Sequence, residues 1–254
     1  MQPEINLGPL TLQSFGLMLG LAFAVAGLIA ARRLKEIGRN PEWAYEMVFA
    51  AIVGDIVGAR LWSVIENWDE ASDDLLGSLL SGAGLVFYGG LLGGALCVLA
   101  WARWRGVLDL QTLDVAAVPL AAAYAIGRIG CQLAGDGDYG EAWDGPWAMA
   151  YPDGTVPTTE EVHPTPVYET LAMGAVAWFL WSRRDSVRPG GLFALYLLLA
   201  GTERFLVEFV RRNDVVALGL TLPQLIALAM MLAGGAWLLR LRGGGVPAPA
   251  ARRA

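Results

Sequence analysis

Seven predominantly apolar stretches, at 12–31, 45–64, 85–104, 113–133, 166–181, 192–210 and 220–239, constrain this chain more than any other feature. A helix rises 1.5 Å per residue, so about 20 such residues cross about 30 Å of hydrocarbon. The pattern therefore predicts an all-α integral membrane protein of seven transmembrane helices. The segment before the first stretch, MQPEINLGPL, is acidic and has no basic n-region, so that stretch reads as a span rather than a cleavable signal peptide. A net charge of −6 argues against a nucleic-acid partner, whose phosphates demand a basic footprint.

Lys and Arg flanking spans mark the cytoplasmic side. They follow the odd-numbered stretches: Arg32, Arg33, Lys35 and Arg39; Arg103 and Arg105; Arg183, Arg184 and Arg188; and Arg240, Arg242, Arg252 and Arg253. The expected topology has the N-terminus outside and the C-terminus cytoplasmic. The opposite side is acidic, with Glu66, Asp69, Glu70, Asp73 and Asp74 between spans two and three. Residues 134–163 are too polar to span and too aromatic for a slack linker, so they are read as a small external head within one transmembrane domain covering 1–254. Residues 243–254, rich in Gly, Pro and Ala, read as a flexible cytoplasmic tail. No internal repeat is visible, which disfavours an inverted-repeat transporter. Cys97 and Cys131 have no metal-ligand spacing and fall at different expected heights in the membrane, so no disulfide is expected.

Five cations fall outside the cytoplasmic set: Arg60, Arg128, Arg204, Arg211 and Arg212. A charge within a span costs at least about 2.5–3.5 kcal/mol on insertion scales and normally faces a partner inside the bundle. Pairing of Arg60 with Asp55 or Glu46, and of Arg204 with Glu203 or Glu208, would explain two of them structurally. Arg211 and Arg212 are read as snorkelling to the outer interface. Arg128 and Arg204 fall in the same outer half, and two planar guanidinium forks suit a phosphate, for which a phospholipid headgroup is the natural source.

Span four ends in GRIGCQLAGDGDYG at 127–140. There Gly135, Gly137 and Gly140 interleave with Asp136, Asp138 and Tyr139 in a loop able to take positive φ. The alternating Asp residues lack the rest of a calcium-loop pattern. HPTPVYE at 163–169 carries the single histidine, His163, read either as a packing group or as a chemical one. Glu169 lies about one turn inside the membrane and needs an arginine partner.

These segments together resemble the prolipoprotein diacylglyceryl transferases, bacterial inner-membrane enzymes. The resemblance covers GPLTLQSFGLM (8–18), GLVFYGGLLGG (84–94), GRIGCQLAGDGDYG, HPTPVYE and ERFLVEFVRRND (203–214), in the family's order. It implies transfer of diacylglyceryl from phosphatidylglycerol to the lipobox cysteine thiol of a preprolipoprotein, forming a thioether and releasing glycerol phosphate. The family's signature arginine falls on Arg128, its sixth-span arginine on Arg204, its acidic signature residue on Asp136, its closing glycine on Gly140 and its fifth-span glutamate on Glu169. Three positions depart from the family: Phe15 replaces a tyrosine, Tyr88 a histidine proposed as base, and Cys131 an asparagine.

The expected catalytic residues are Arg128 and Arg204, with Tyr88, His163 and Asp136 as proton-acceptor candidates. Substrate binding is expected from Arg128, Arg204, Arg60 and Glu169, joined by Gly140, Tyr139 and Glu208. The partners implied are phosphatidylglycerol, the lipobox segment and membrane lipids; no metal or organic cofactor is implied. The departures leave open a paralogous lipid-fragment transferase with another acceptor, or a non-catalytic phospholipid-binding protein.

Overall fold

The computed structural model describes residues 1–8, 10–68 and 87–243. The acidic residues Asp69, Glu70, Asp73 and Asp74, the tail beyond Gly243 and the side chain of Tyr88 lie outside the described residues. α-Helices occupy all seven predicted stretches: α1 (Ser14–Glu36), α2 (Trp43–Glu66), α3 (Phe87–Trp104), α4 (Leu110–Ala134), α5 (Thr165–Arg183), α6 (Gly191–Val207) and α7 (Leu222–Gly243). Among the described residues, four helices, Ser14–Glu36, Trp43–Glu66, Leu110–Ala134 and Leu222–Arg242, are long and apolar enough to cross a membrane.

Among the described residues, three antiparallel hairpins accompany the helices: β1 (Glu4–Leu7) with β2 (Leu10–Gln13), β3 (Met149–Tyr151) with β4 (Thr158–Val162), and β5 (Val215–Ala217) with β6 (Leu220–Thr221). The first and third correct the expected span edges. Residues 10–13 pair with 4–7, so α1 starts at Ser14, where the Ser14 hydroxyl donates to the Pro3 carbonyl. The sixth helix stops at Val207, and a 3₁₀ turn, Glu208–Val210, hands the chain to an extended Arg211.

Two compact units divide the chain. In the unit Ala30–Thr112, α2 and α3 pack through paired glycines. A Cβ on Gly58 would sit 2.2 Å from the Gly89 carbonyl, and one on Gly54 would sit 2.4 Å from that of Gly93. This small-xxx-small seam lets apolar helices approach to backbone contact, where lipid supplies no hydrophobic drive for association. Arg105 closes the far end of the same pair on Glu46 at 2.6 Å.

In the unit Met1–Ile29 with Leu113–Ala254, Ala117, Val118 and Ala121 of α4 share a core with Met173 and Leu180 of α5 and Leu192 of α6. Asp114 accepts from the backbone N–H groups of Gly190 and Phe193 at 2.7 and 2.8 Å. A carboxylate from α4 thus satisfies donors that the first turn of α6 leaves unpaired. At the other end of α4, Thr155 and Val156 donate to the carbonyls of Ala134 and Gly135, so the loop around β3–β4 caps the helix it follows.

Candidate functional site

The end of α4, the start of α5 and the end of α6 bring three arginines and three carboxylates together. Glu169, fully buried on the second turn of α5, is the hub. Its Oε2 lies 2.5 Å from Arg128 Nε and accepts from the Tyr124 hydroxyl at 2.6 Å. Its Oε1 accepts from Arg211 Nη1 at 2.8 Å and lies 3.7 Å from Arg204 Nη1. Arg204 Nη2 sits 2.7 Å from Glu208 Oε2 one turn on. Asp138 bridges the set, one carboxylate oxygen taking Arg128 and the other Arg211. Three positive and three negative side chains therefore balance, which is how buried charges are tolerated.

Local backbone explains why these groups meet. Gly135 and Gly137 take φ of +58° and +92°, folding the chain off α4 so that Asp138 returns towards Arg128. Gly140 matters for the space it leaves, because a Cβ there would lie 2.1 Å from the Val210 carbonyl; it also pairs with Arg211 in an isolated antiparallel bridge. That close approach fixes Arg211. Thr165, fully buried at the start of α5, donates its hydroxyl to the Asp138 carbonyl at 2.5 Å and locks the loop to the helix carrying Glu169.

Arg211 corrects the sequence reading. It does not snorkel to the interface: its side chain is 8% exposed and pairs with Asp138 and Glu169. The missed signal is spacing, because Arg204, Glu208 and Arg211 fall four and three residues apart, the intervals at which helical side chains are neighbours. Arg212 is at the rim, 39% exposed, pairing with Glu160 at 3.1 Å. Of Arg204's two suggested partners, the observed one is Glu208, supplemented by Glu169.

The other expected residues are placed as follows. Asp136 accepts from the Asp138 backbone N–H at 3.3 Å. Burial, with the nearby Asp138 carboxylate, raises its pKa above the ordinary value. Asp138 is opposite in sign: burial alone would raise it, but Arg128 and Arg211 bring it down to about 2. His163 stacks on Trp143, with ring centroids 4.4 Å apart, and its Nδ1 is 3.2 Å from the Tyr168 hydroxyl. Tyr139 is buried in the head's own small core, stacked on Tyr151, with its hydroxyl donating to the Val156 carbonyl at 3.1 Å. Arg60 is buried in α2 and Tyr88 stands at the start of α3, both in the other unit.

Cys131 lies 3.7 Å from Arg128 Nη1, and Cys97 and Cys131 are free thiols. The Cys131 sulfur and the Asp136 and Asp138 carboxylates come within 4.8 Å of one another. Both Asp138 oxygens are already taken by guanidiniums, one by Arg128 and the other by Arg211.

Apolar helices of membrane-spanning length, with a balanced cluster of charge at one end of α4, α5 and α6, fit a multi-pass membrane protein with a buried charged site. The family described as prolipoprotein diacylglyceryl transferase matches residues 3–240. Similar curated proteins carry the name phosphatidylglycerol–prolipoprotein diacylglyceryl transferase. The one from Azotobacter vinelandii is 37% identical over 256 residues, covering 93% of each chain. The one from Pseudomonas paraeruginosa is 35% identical, over 91% of this chain and 89% of its own. That of Methylococcus capsulatus is 33% identical over 91% of both. The chain belongs to the prolipoprotein diacylglyceryl transferase family, a family of transferases.

Proposed function

We propose that this protein transfers diacylglyceryl from phosphatidylglycerol to the lipobox cysteine of preprolipoproteins, with Arg128 and Arg204 holding the phosphate. Family membership supports the reaction. The observation that carries the phosphate role is that Arg204 Nη1 is buried with no hydrogen-bond partner among the described residues. A desolvated guanidinium N–H without an acceptor is costly, and a phosphate oxygen supplies one.

Arg128, by contrast, is committed to Glu169, Asp138 and Tyr124. It binds by exchange, with a phosphate oxygen replacing a carboxylate oxygen at Nη1. In the reaction the acceptor sulfur forms a bond to the glyceryl carbon as the carbon–oxygen bond to phosphate breaks. The electron pair leaves on glycerol phosphate, whose growing charge the guanidiniums stabilise. The thiol gives up its proton, since the thiolate is the nucleophile. Asp136, His163 and Tyr88 are the candidate acceptors. Asp136 is favoured, because its raised pKa makes it a stronger base than an ordinary aspartate. Glu169 and Glu208 orient the arginines, and Gly140 allows the loop to close. Arg60 and Tyr139 retain expected substrate-binding roles, for Tyr139 through the head.

The protein is read as crossing a bacterial inner membrane seven times, N-terminus outside and C-terminus cytoplasmic, with residues 134–163 as the external head. A reporter after Arg242 is expected to read cytoplasmic and one near Gly154 external. A second reading, transfer to a different acceptor, is favoured by Cys131 at a position where the family has asparagine. Complementation separates the two. The wild-type chain should restore growth to a bacterium depleted of its own transferase, and a membrane-inserted Arg204→Ala variant should not. A well-expressed wild-type chain that fails to restore growth would refute the proposed acceptor.

A further inference from the structure

The hairpin joining α6 to α7 has an apolar tip in an unusual backbone state. Ala217 pairs with Leu220, leaving Leu218 and Gly219 as a two-residue loop with φ of +55° and +73°. Two consecutive positive φ values are what the tightest hairpin turn requires, and Asn-Gly or Asp-Gly normally fills them. Leu218 is the one non-glycine residue with positive φ among the described residues, and it is 92% exposed. Its Cβ bears the left-handed steric cost without the local hydrogen bonding that offsets it for Asn or Asp. No packing within the protein compensates at that exposure. Val215 and Val216 beside it are both 65% exposed.

The hairpin's surroundings say what covers the tip. It leads directly into α7, a helix of membrane-spanning length and composition, whose first residue Leu222 is itself 43% exposed. Before it, Leu206 at the end of α6 and Phe209 in the 3₁₀ turn that follows are 61% and 59% exposed. Apolar surface thus continues on both sides of the hairpin, forward onto α7, which has membrane-spanning length, and back to the end of α6, while the intervening Arg212, Asn213 and Asp214 keep the base polar. An apolar tip with a polar base is the profile of a segment seated at a bilayer interface.

We propose that the tip of β5–β6, Val215, Val216 and Leu218, inserts into bilayer lipid as a wedge beside the charged site. Its base is tied to that site: Asn213 and Thr221 both donate to Glu208 Oε1, at 2.6 and 2.7 Å, and Glu208 pairs with Arg204. Lipid at the tip therefore helps hold the carboxylate that orients Arg204. The inference needs the membrane and not the transfer reaction.

The test is nitroxide depth measurement on the full chain in phosphatidylglycerol-containing nanodiscs, with Cys97→Ala and Cys131→Ala removing the native thiols. A label on Leu218→Cys should show higher oxygen and much lower nickel-chelate accessibility than one on Glu160→Cys, approaching the values of a label on Leu232→Cys, a 73%-exposed residue midway along α7. The same measurement at Val216→Cys should agree, which guards against a local effect of either label. Chelate accessibility at 218 and 216 equal to that at Glu160→Cys, on an exposed head strand, overturns the proposal. Labels open to chelate until a lipobox peptide is added also overturn it, and would assign the tip to the peptide instead.

Discussion

Arg211 and Glu169, 42 residues apart in sequence, meet at 2.8 Å, with the carboxylate fully buried and the guanidinium nearly so. This pair joins α5 to the extended segment after α6, and Asp138 then ties both arginines flanking Glu169 to the loop after α4. Removing one member leaves buried charge uncompensated. Arg211→Ala should therefore destabilise the protein by about 3–5 kcal/mol. Adding Glu169→Gln to that variant should recover part of the loss, because the orphaned charge is gone. Thermal unfolding in nanodiscs reads both, and a wild-type midpoint for Arg211→Ala would mean the pair contributes nothing.

Gly140 is predicted to tolerate no side chain. A methyl group there would meet the Val210 carbonyl at 2.1 Å and His163 Cβ at 2.9 Å, so Gly140→Ala must push apart the bridge that sets Arg211. A cost of about 1–3 kcal/mol is expected, as for other overpacked sites. Gly174→Ala on α5, which meets nothing within 4 Å, should be neutral or slightly stabilising. Equal unfolding midpoints for the two variants would remove the steric argument.

The two aspartates of the glycine-rich loop should respond oppositely to pH. Asp138, held at about 2 in the folded protein against about 3.9 unfolded, contributes stability above pH about 4 that is lost as pH falls towards 2. Asp136 has a raised folded pKa, so its contribution declines as pH rises above the unfolded value. At pH 7 Asp138→Asn should lower the unfolding midpoint and Asp136→Asn should raise it. Both differences should shrink towards pH 3. Shifts of the same sign at pH 7 would contradict the assigned environments.

Arg128 and Arg204 are expected to act through fork geometry and not through charge alone. Arg→Lys at either position should then reduce turnover per folded molecule nearly as far as Arg→Ala, by about 10²-fold, the equivalent of about 3 kcal/mol of transition-state stabilisation. Lys variants with near-normal turnover, beside Ala variants that lose folded protein, would reduce the two residues to structural ion pairs.

The helices were legible because apolar runs of membrane length leave little alternative, and all seven fall within a few residues of the predicted stretches. The hairpins were not. Residues 4–13 alternate over too few positions to compete with the apolar run beside them, and Leu220 and Thr221 of the third hairpin were absorbed into the start of the seventh apolar run. Arg128, Arg204 and Glu169 could be picked out because intramembrane charge is costly. Asp138 was not separated from Asp136, since which carboxylate returns to Arg128 depends on the positive φ values at Gly135 and Gly137. Arg211 was hidden by its place next to Arg212 at a span end, where snorkelling is the commoner fate. Tyr124, which bridges Arg128 and Glu169 through its hydroxyl, looked like any apolar-face aromatic.

The most direct test of the proposed reaction counts both products. The purified protein in phosphatidylglycerol vesicles would be given a lipobox peptide with its cysteine, or the same peptide with that cysteine replaced by serine. Diacylglyceryl-peptide and glycerol phosphate should appear in equal amounts with the cysteine peptide and not at all with the serine one. Glycerol phosphate released without lipidated peptide, or neither product from well-folded protein, would contradict transfer to a lipobox thiol.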